Sequence, residues 1–252
     1  MARVRQLRLE VTSACQNSCS HCAFDSGRRS HPDFDLSLSD LDRFIRATFD
    51  SGYSIETLRI HGLGEPLLWR NLNEGLLMLQ AAGIAKSIVM ASNGLALGRL
   101  EPAAWDCLTA LRVSVYPPYT VERFMSGLSE AQTGRLQFLL VDRFAVARVP
   151  GDAPAKTPCD CMCRGPMVIG DKVFYHCGPP VFGAAAELSL DPYEELGLVG
   201  PLGLRYLGQR PRSLSGRLPL CGHCWANGKL QREFAPHLTR TKQGPGRSEA
   251  LD

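Results

Sequence analysis

The stretch "ACQNSCSHC", residues 14–22, places Cys15, Cys19 and Cys22 directly behind the strand-like run "QLRLEVT". A disulfide would use two of these thiols. A tetrahedral zinc site would want a fourth ligand, and the next cysteine along the chain, Cys107, is remote. His21 and His31 are the alternatives that keep a zinc knuckle open. Three thiolates without a fourth suit a metal centre with one coordination position left for another molecule.

A second set lies far downstream. "CDCMCRGPMVIGDKVFYHC" and "LCGHC" supply Cys159, Cys161, Cys163, Cys177, Cys221 and Cys224. A cysteine, a hairpin, a second cysteine and a distant C-x2-C gather four ligands from two segments, equally well for zinc or for an iron–sulfur cluster. Nine of the ten cysteines fall into such local groups, which marks a metal protein. The tenth, Cys107, sits beside Trp105 and Leu108 and reads as a core thiol.

The elements around these residues alternate. "LRLEVT", "TLRIHG", "SIVMASNG", "RVSVYPP" and "LQFLLVD" read as strands. Between them, "SLSDLDRFIRATFDSG" predicts a helix capped by Ser37 or Ser39. Its apolar face holds Leu38, Leu41, Phe44, Ile45 and Phe49, and Gly52 ends it. "NLNEGLLMLQAAG", "EPAAWDCLTAL" and the weaker "YTVERFMSGLSEAQTG" predict three more helices. Such alternation implies a parallel sheet with crossover helices, open or as an incomplete barrel, with its chemistry at the C-terminal strand ends. A Pro/Gly-rich linker, "VPGDAPAKTP", then separates residues 1–150 from a cysteine-rich unit at 151–235 that contains a hairpin around Gly170–Asp171 and a short helix in "SLDPYEELG". Residues 236–252 read as a flexible tail.

The 252 residues are 44% hydrophobic and 21% charged, a globular composition. A net charge of +3 is too small to argue for a nucleic-acid partner. The opening "MARVRQLRLEV" has no continuous apolar stretch, and no run approaches membrane-spanning length. The expectation is a cytoplasmic protein, where clustered thiols mean metal or redox chemistry rather than staples.

With C-x3-C-x2-C in the loop after its first strand, the chain resembles the radical S-adenosylmethionine enzymes. That resemblance implies a partial (β/α)6 barrel in which Cys15, Cys19 and Cys22 hold a 4Fe–4S cluster with an open iron. It also implies S-adenosylmethionine as cofactor, a flavodoxin or ferredoxin-type electron donor, and hydrogen abstraction from a substrate. "GEP" after the second strand matches the family segment that receives the cofactor ammonium, giving Gly64, Glu65 and Pro66. "ASNG" gives Ser92 and Asn93, Phe24 matches an aromatic near the adenine, and Ser114 a polar contact to the ribose.

The distal cysteines resemble the Twitch domain, the shortened relative of the SPASM domain, implying an auxiliary 4Fe–4S cluster on Cys163, Cys177, Cys221 and Cys224. "CDCMC" offers three cysteines where that pattern uses one, and Cys163 is preferred because it directly precedes the hairpin. The combination is most similar in architecture to 2-deoxy-scyllo-inosamine dehydrogenase. That similarity implies a small polar substrate (an aminocyclitol, sugar or nucleotide), oxidised with the auxiliary cluster as electron acceptor. It makes Arg148, or else Arg143, the substrate-contacting arginine. Two other readings stand beside it: radical modification of a peptide or protein, and a non-enzymatic zinc-ribbon protein that binds nucleic acid.

Overall fold

The computed structural model describes residues 2–19, 33–61, 63–141, 143–146, 167–169, 172–174, 233–236 and 239–241. Helix α1 (Leu38–Ser51) begins as the sequence dictates, with the Ser37 hydroxyl accepting the Asp40 N–H, and ends at Gly52, whose φ of 68° is left-handed. Its buried face is Leu41, Phe44, Ile45 and Thr48. Phe49, expected on that face, is 59% exposed. Position 48, seven residues beyond 41, continues the helical stripe, and the Thr48 hydroxyl is satisfied by the Phe44 carbonyl at 2.8 Å.

The strands are β1 (Ala2–Glu10), β2 (Asn17–Cys19), β3 (Tyr53–His61), β4 (Ala85–Ser92), β5 (Ala110–Val115) and β6 (Leu136–Leu140). After them come β7 (Arg143–Val146), β8 (Met167–Ile169), β9 (Lys172–Phe174), β10 (Glu233–Pro236) and β11 (Thr239–Thr241). Helices α2 (Leu72–Ala82) and α3 (Pro102–Cys107) connect β3 to β4 and β4 to β5. The helix expected before β6 is broken into α4 (Val121–Met125) and α5 (Glu130–Thr133). Gly127, at φ 80°, lies between them in a conformation that no α-helix contains.

The main sheet has the order β6-β5-β4-β3-β1-β8-β9. Its first six members pair in parallel, and β9 closes the edge antiparallel to β8. The expected hairpin is therefore present as β8–β9, and its first strand extends the barrel sheet beside β1 rather than standing apart from it. Two smaller antiparallel pairs join β10 to β7 and β11 to β2. Residues 239–241, placed by sequence in the tail, thus run alongside Asn17–Cys19.

One face of the sheet is covered by helices. Leu7, Leu9, Leu58, Ile60, Ile88, Met90, Leu111 and Val113 alternate along their strands and join one core with Leu41, Phe44, Leu76, Leu79 and Trp105. Each fully buried leucine there contributes about 1.5–3 kcal/mol. Cys107 belongs to this core, 5% exposed, and burial raises its thiol pKa, as befits a packing residue. Among the described residues no helix is long and apolar enough to cross a membrane.

Candidate active site

The loop that leaves β1 is fixed from both sides. On one side Leu36 N–H donates to the Val11 carbonyl and Ser13 N–H to the Phe34 carbonyl, both at 2.8 Å. On the other, Gly64 N–H donates to Thr12 at 2.9 Å and Glu65 N–H to Ala14 at 2.6 Å. The approach is so close that a Cβ on Gly64 would overlap the Ala14 carbonyl oxygen and stand 2.5 Å from the Ser13 carbonyl carbon. Only glycine fits. Cys15 and Cys19 follow on this loop, both half-buried at the C-terminal end of the sheet.

Glu65 is 3% exposed and turned inward. Its Oε1 accepts from the Ser92 hydroxyl at 2.6 Å and the Leu67 N–H at 3.1 Å, and its Oε2 from the Asn93 N–H at 2.7 Å. Burial raises its pKa, while the Asn93, Ser92 and Leu67 donors pull it back. Pro66 is buried behind it and opens the short turn that ends at Trp69, whose indole N–H reaches the Leu36 carbonyl at 2.7 Å. Asn93 completes the assembly: its Oδ1 accepts from Leu95 N–H and from the Gln16 side chain, which lies between the two cysteines. The segments "GEP" and "ASNG" are therefore joined to each other and to the cysteine loop through one carboxylate and one amide.

Ser114 lies on β5 on the opposite face from Leu111 and Val113, the inside of the partial barrel. Cys22, Phe24, Arg148, Cys159, Cys161, Cys163, Cys177, Cys221, Cys224 and the zinc alternatives His21 and His31 lie outside the described residues. Arg143 is the first residue of β7. Among the described residues no three metal-ligating side chains form a group, the third cysteine of the loop lying outside them.

The sequence reading missed a charged set under the loop. Paired residues of a parallel ladder share a face, so Arg8 with Arg59 and Glu10 with His61 all point to the barrel interior. Glu10 is wholly buried, and burial pushes its carboxyl up to about 7 against the opposing pull of the Leu63 backbone and Arg8. Burial, with Arg8 and Arg59 nearby, pushes His61 down to about 3, so it is neutral at pH 7. The folded Glu10 pKa exceeds its ordinary 4.5, so its contribution to stability is complete below pH 4.5 and lost as pH rises through about 7. The loss is on the order of 3 kcal/mol. Urea unfolding of the wild type and of Glu10→Gln at pH 5 and pH 8 checks this: the variant should lose less stability over that interval, by roughly this amount. Equal losses would mean that Glu10 does not titrate there.

No family model matches the chain. In sequence, 97 residues are 38% identical to the GTP 3′,8-cyclase of Geobacter sulfurreducens, covering 38% of this chain and 28% of that protein. The enzyme of the same name from Stenotrophomonas maltophilia is 36% identical over 112 residues, 43% of this chain and 33% of the relative. That from Mesorhizobium japonicum is 28% identical over 153 residues, 54% of this chain and 45% of the relative. In each case less than half of the relative's length is matched. The structure is similar to a crystal structure of BtrN in an open conformation, with a TM-score of 0.51 and 15% identity over 88% of this chain and 92% of that one. At that identity the likeness is one of fold. Sequence relatives and fold together bear out the resemblance to the radical S-adenosylmethionine superfamily, whose members named here are enzymes.

Proposed function

We propose that this chain reductively cleaves S-adenosylmethionine and abstracts hydrogen from a small polar substrate. One observation carries the reading: the loop bearing Cys15 and Cys19 is clamped onto the "GEP" and "ASNG" segments by the Gly64 approach, Glu65 and Gln16. The donor set suits a cluster, since soft thiolates stand half-buried on a loop whose backbone is packed directly against Gly64. Cys15, Cys19 and Cys22 are the residues that would hold it. Bound there, a 4Fe–4S cluster with an open iron would supply the electron for reductive cleavage of the cofactor and so the means of hydrogen abstraction.

The chain's own residues then have separate tasks. The inward-facing Glu65 carboxylate braces the two segments, which leaves the backbone around Gly64–Pro66 to receive the cofactor ammonium. Ser114 offers a hydroxyl from the barrel interior toward the ribose, and Phe24 packs by the adenine. Residues 151–235 form a Twitch-like unit in which Cys163, Cys177, Cys221 and Cys224 ligate an auxiliary cluster. Four thiolates would leave no open position, so a cluster held by these cysteines would supply an electron acceptor for a net oxidation rather than a cofactor site. Arg148 contacts the substrate, its guanidinium donating a hydrogen bond to the substrate hydroxyl oxygen. A flavodoxin or ferredoxin supplies the initial electron.

Anaerobic purification followed by iron and sulfide analysis tests both metal sites. About eight irons per chain are expected, two four-iron clusters. A reductant and S-adenosylmethionine should then release 5′-deoxyadenosine. About four irons with zinc would remove the electron-accepting cluster, and zinc alone with no 5′-deoxyadenosine would sink the enzyme reading.

A further inference from the structure

The last described strands do not join the main sheet. β10 and β11 pair instead with two segments that leave it, β7 and β2. Both partners follow the same end of the sheet. β1, β3, β4, β5 and β6 run parallel. β2 comes after the end of β1, and β7 begins at Arg143, just past the end of β6 at Leu140. In the order β6-β5-β4-β3-β1 the two parent strands are four places apart. That is about 19 Å across a flat sheet and less across a curled one. The antiparallel registers then fix the path of the chain. Pro236 stands opposite Arg143, and Thr239 opposite Cys19. Three peptide steps separate Pro236 from Thr239, so at most about 11 Å of chain links the exit of β6 to the second cysteine of the loop. Asn17, opposite Thr241, is 2% exposed, and among the described residues β11 is the one strand paired with β2.

We propose that Glu233–Thr241 is a strap across the mouth of the partial barrel, and that its seating on the cysteine loop and the loop's metal stabilise each other. The inference rests on the enzyme reading above and adds a device that controls its cofactor site. Four residue pairs hold β10 and three hold β11. A lone two-stranded antiparallel pair is marginally stable in water, so each seat opens locally at a small free-energy cost while the main sheet stays folded. β2 carries Cys19 and lies between Cys15 and Cys22 in sequence. Its backbone must be ordered both for β11 to pair and for Cys15 and Cys19 to ligate one cluster. Ordering it for one purpose removes that cost from the other, so the two events are coupled by the same factor in either direction. Seated, the strap closes the way between the last barrel strand and the cysteine loop. Unseated, it opens the mouth to cofactor and substrate.

The test uses the full chain, purified anaerobically, metal-free or reconstituted with iron and sulfide, and reads amide hydrogen–deuterium exchange. Residues 233–241 should exchange about fivefold or more slowly once the metal is in place. Replacing Cys15 and Cys19 with alanine, which leaves the distal cysteines intact, should abolish that slowing. Successive N–H groups of a strand point to opposite edges, so of Arg240→Pro and Thr241→Pro one removes a bond to β2 and the other faces away. The first should speed exchange at 17–19 and weaken S-adenosylmethionine binding, followed by calorimetry, by about two- to tenfold. The second should match the wild type. A chain ending at Leu238 should lose at least as much affinity, and one ending at Thr241 should lose none. The proposal is overturned if exchange at 233–241 ignores the metal, or if the chain ending at Leu238 binds S-adenosylmethionine like the wild type. Release of 5′-deoxyadenosine is followed in the same preparations. Release with metal-independent exchange sinks the strap alone. Exchange slowed through Cys15 and Cys19, in a chain that neither binds S-adenosylmethionine nor releases 5′-deoxyadenosine, supports the strap and sinks the radical reading.

Discussion

Replacing Cys15, Cys19 and Cys22 together with alanine should abolish 5′-deoxyadenosine release while leaving about four irons per chain on the distal cysteines. The argument is chemical before it is structural. A cluster iron becomes available to a cofactor only where three thiolates hold the other irons, and the proposed three are the cysteines that follow β1 in the sequence. On the proposed reading the distal set has a full complement of thiolates and would offer no such position. The loop's frame does not depend on the thiols, because Val11, Ser13, Thr12 and Ala14 are tied through their backbone groups. The triple variant should therefore keep its fold, seen as an unchanged far-ultraviolet spectrum, and lose at least the 10⁶-fold rate enhancement on the order that enzymes supply. Cofactor cleavage at wild-type rate in that variant would overturn the assignment.

How far this site could be read from sequence depends on what each residue does. Cys15 and Cys19 were legible because thiolate spacing is local and few other uses explain it. The helix of residues 38–51 was legible through Ser37 and Gly52, whose caps are chosen by backbone geometry alone. Phe49 was misplaced because hydrophobicity names a candidate for the core, whereas the 3.6-residue period decides between 48 and 49. Glu65 was found, but its role was not: a glutamate in a glycine turn looks the same whether it faces a ligand or Ser92 and Asn93. Arg8 and Glu10 were not singled out, because the polar half of an alternating strand normally faces water and carries no other signal. In "QLRLE" that alternation belongs to β1, flanked by β3 and β8 and lying inside the sheet, so the charges had nowhere to go but the interior. Gln16 has no signature at all; its bond to Asn93 spans 77 positions of sequence.

Gly64→Ala is the smallest change expected to disable the site without touching a ligand. The added Cβ would meet the backbone of Ser13 and Ala14, not the movable end of a side chain, so one of the two segments must shift. Overpacking of this kind costs about 1–3 kcal/mol. The same shift lengthens the bonds from Gly64 to Thr12 and from Glu65 to Ala14, which would take away about 0.5–1.5 kcal/mol each. A melting point lower by several degrees follows for a chain of this size. The functional loss should be larger than the loss of stability suggests, because the displaced atoms carry Cys15, and a displacement of about 1 Å at a reacting centre costs about 100-fold in rate. Gly98→Ala is the matched control, since a Cβ there meets nothing within 4 Å and the backbone is not left-handed. Calorimetry and initial rates of 5′-deoxyadenosine release on the two variants separate the effects. If Gly64→Ala melts and turns over like Gly98→Ala, the close approach of loop and turn does not position the cysteines. If it melts only slightly lower yet loses about two orders of magnitude in rate, the glycine is conserving geometry for the chemistry at Cys15 rather than stability for the fold.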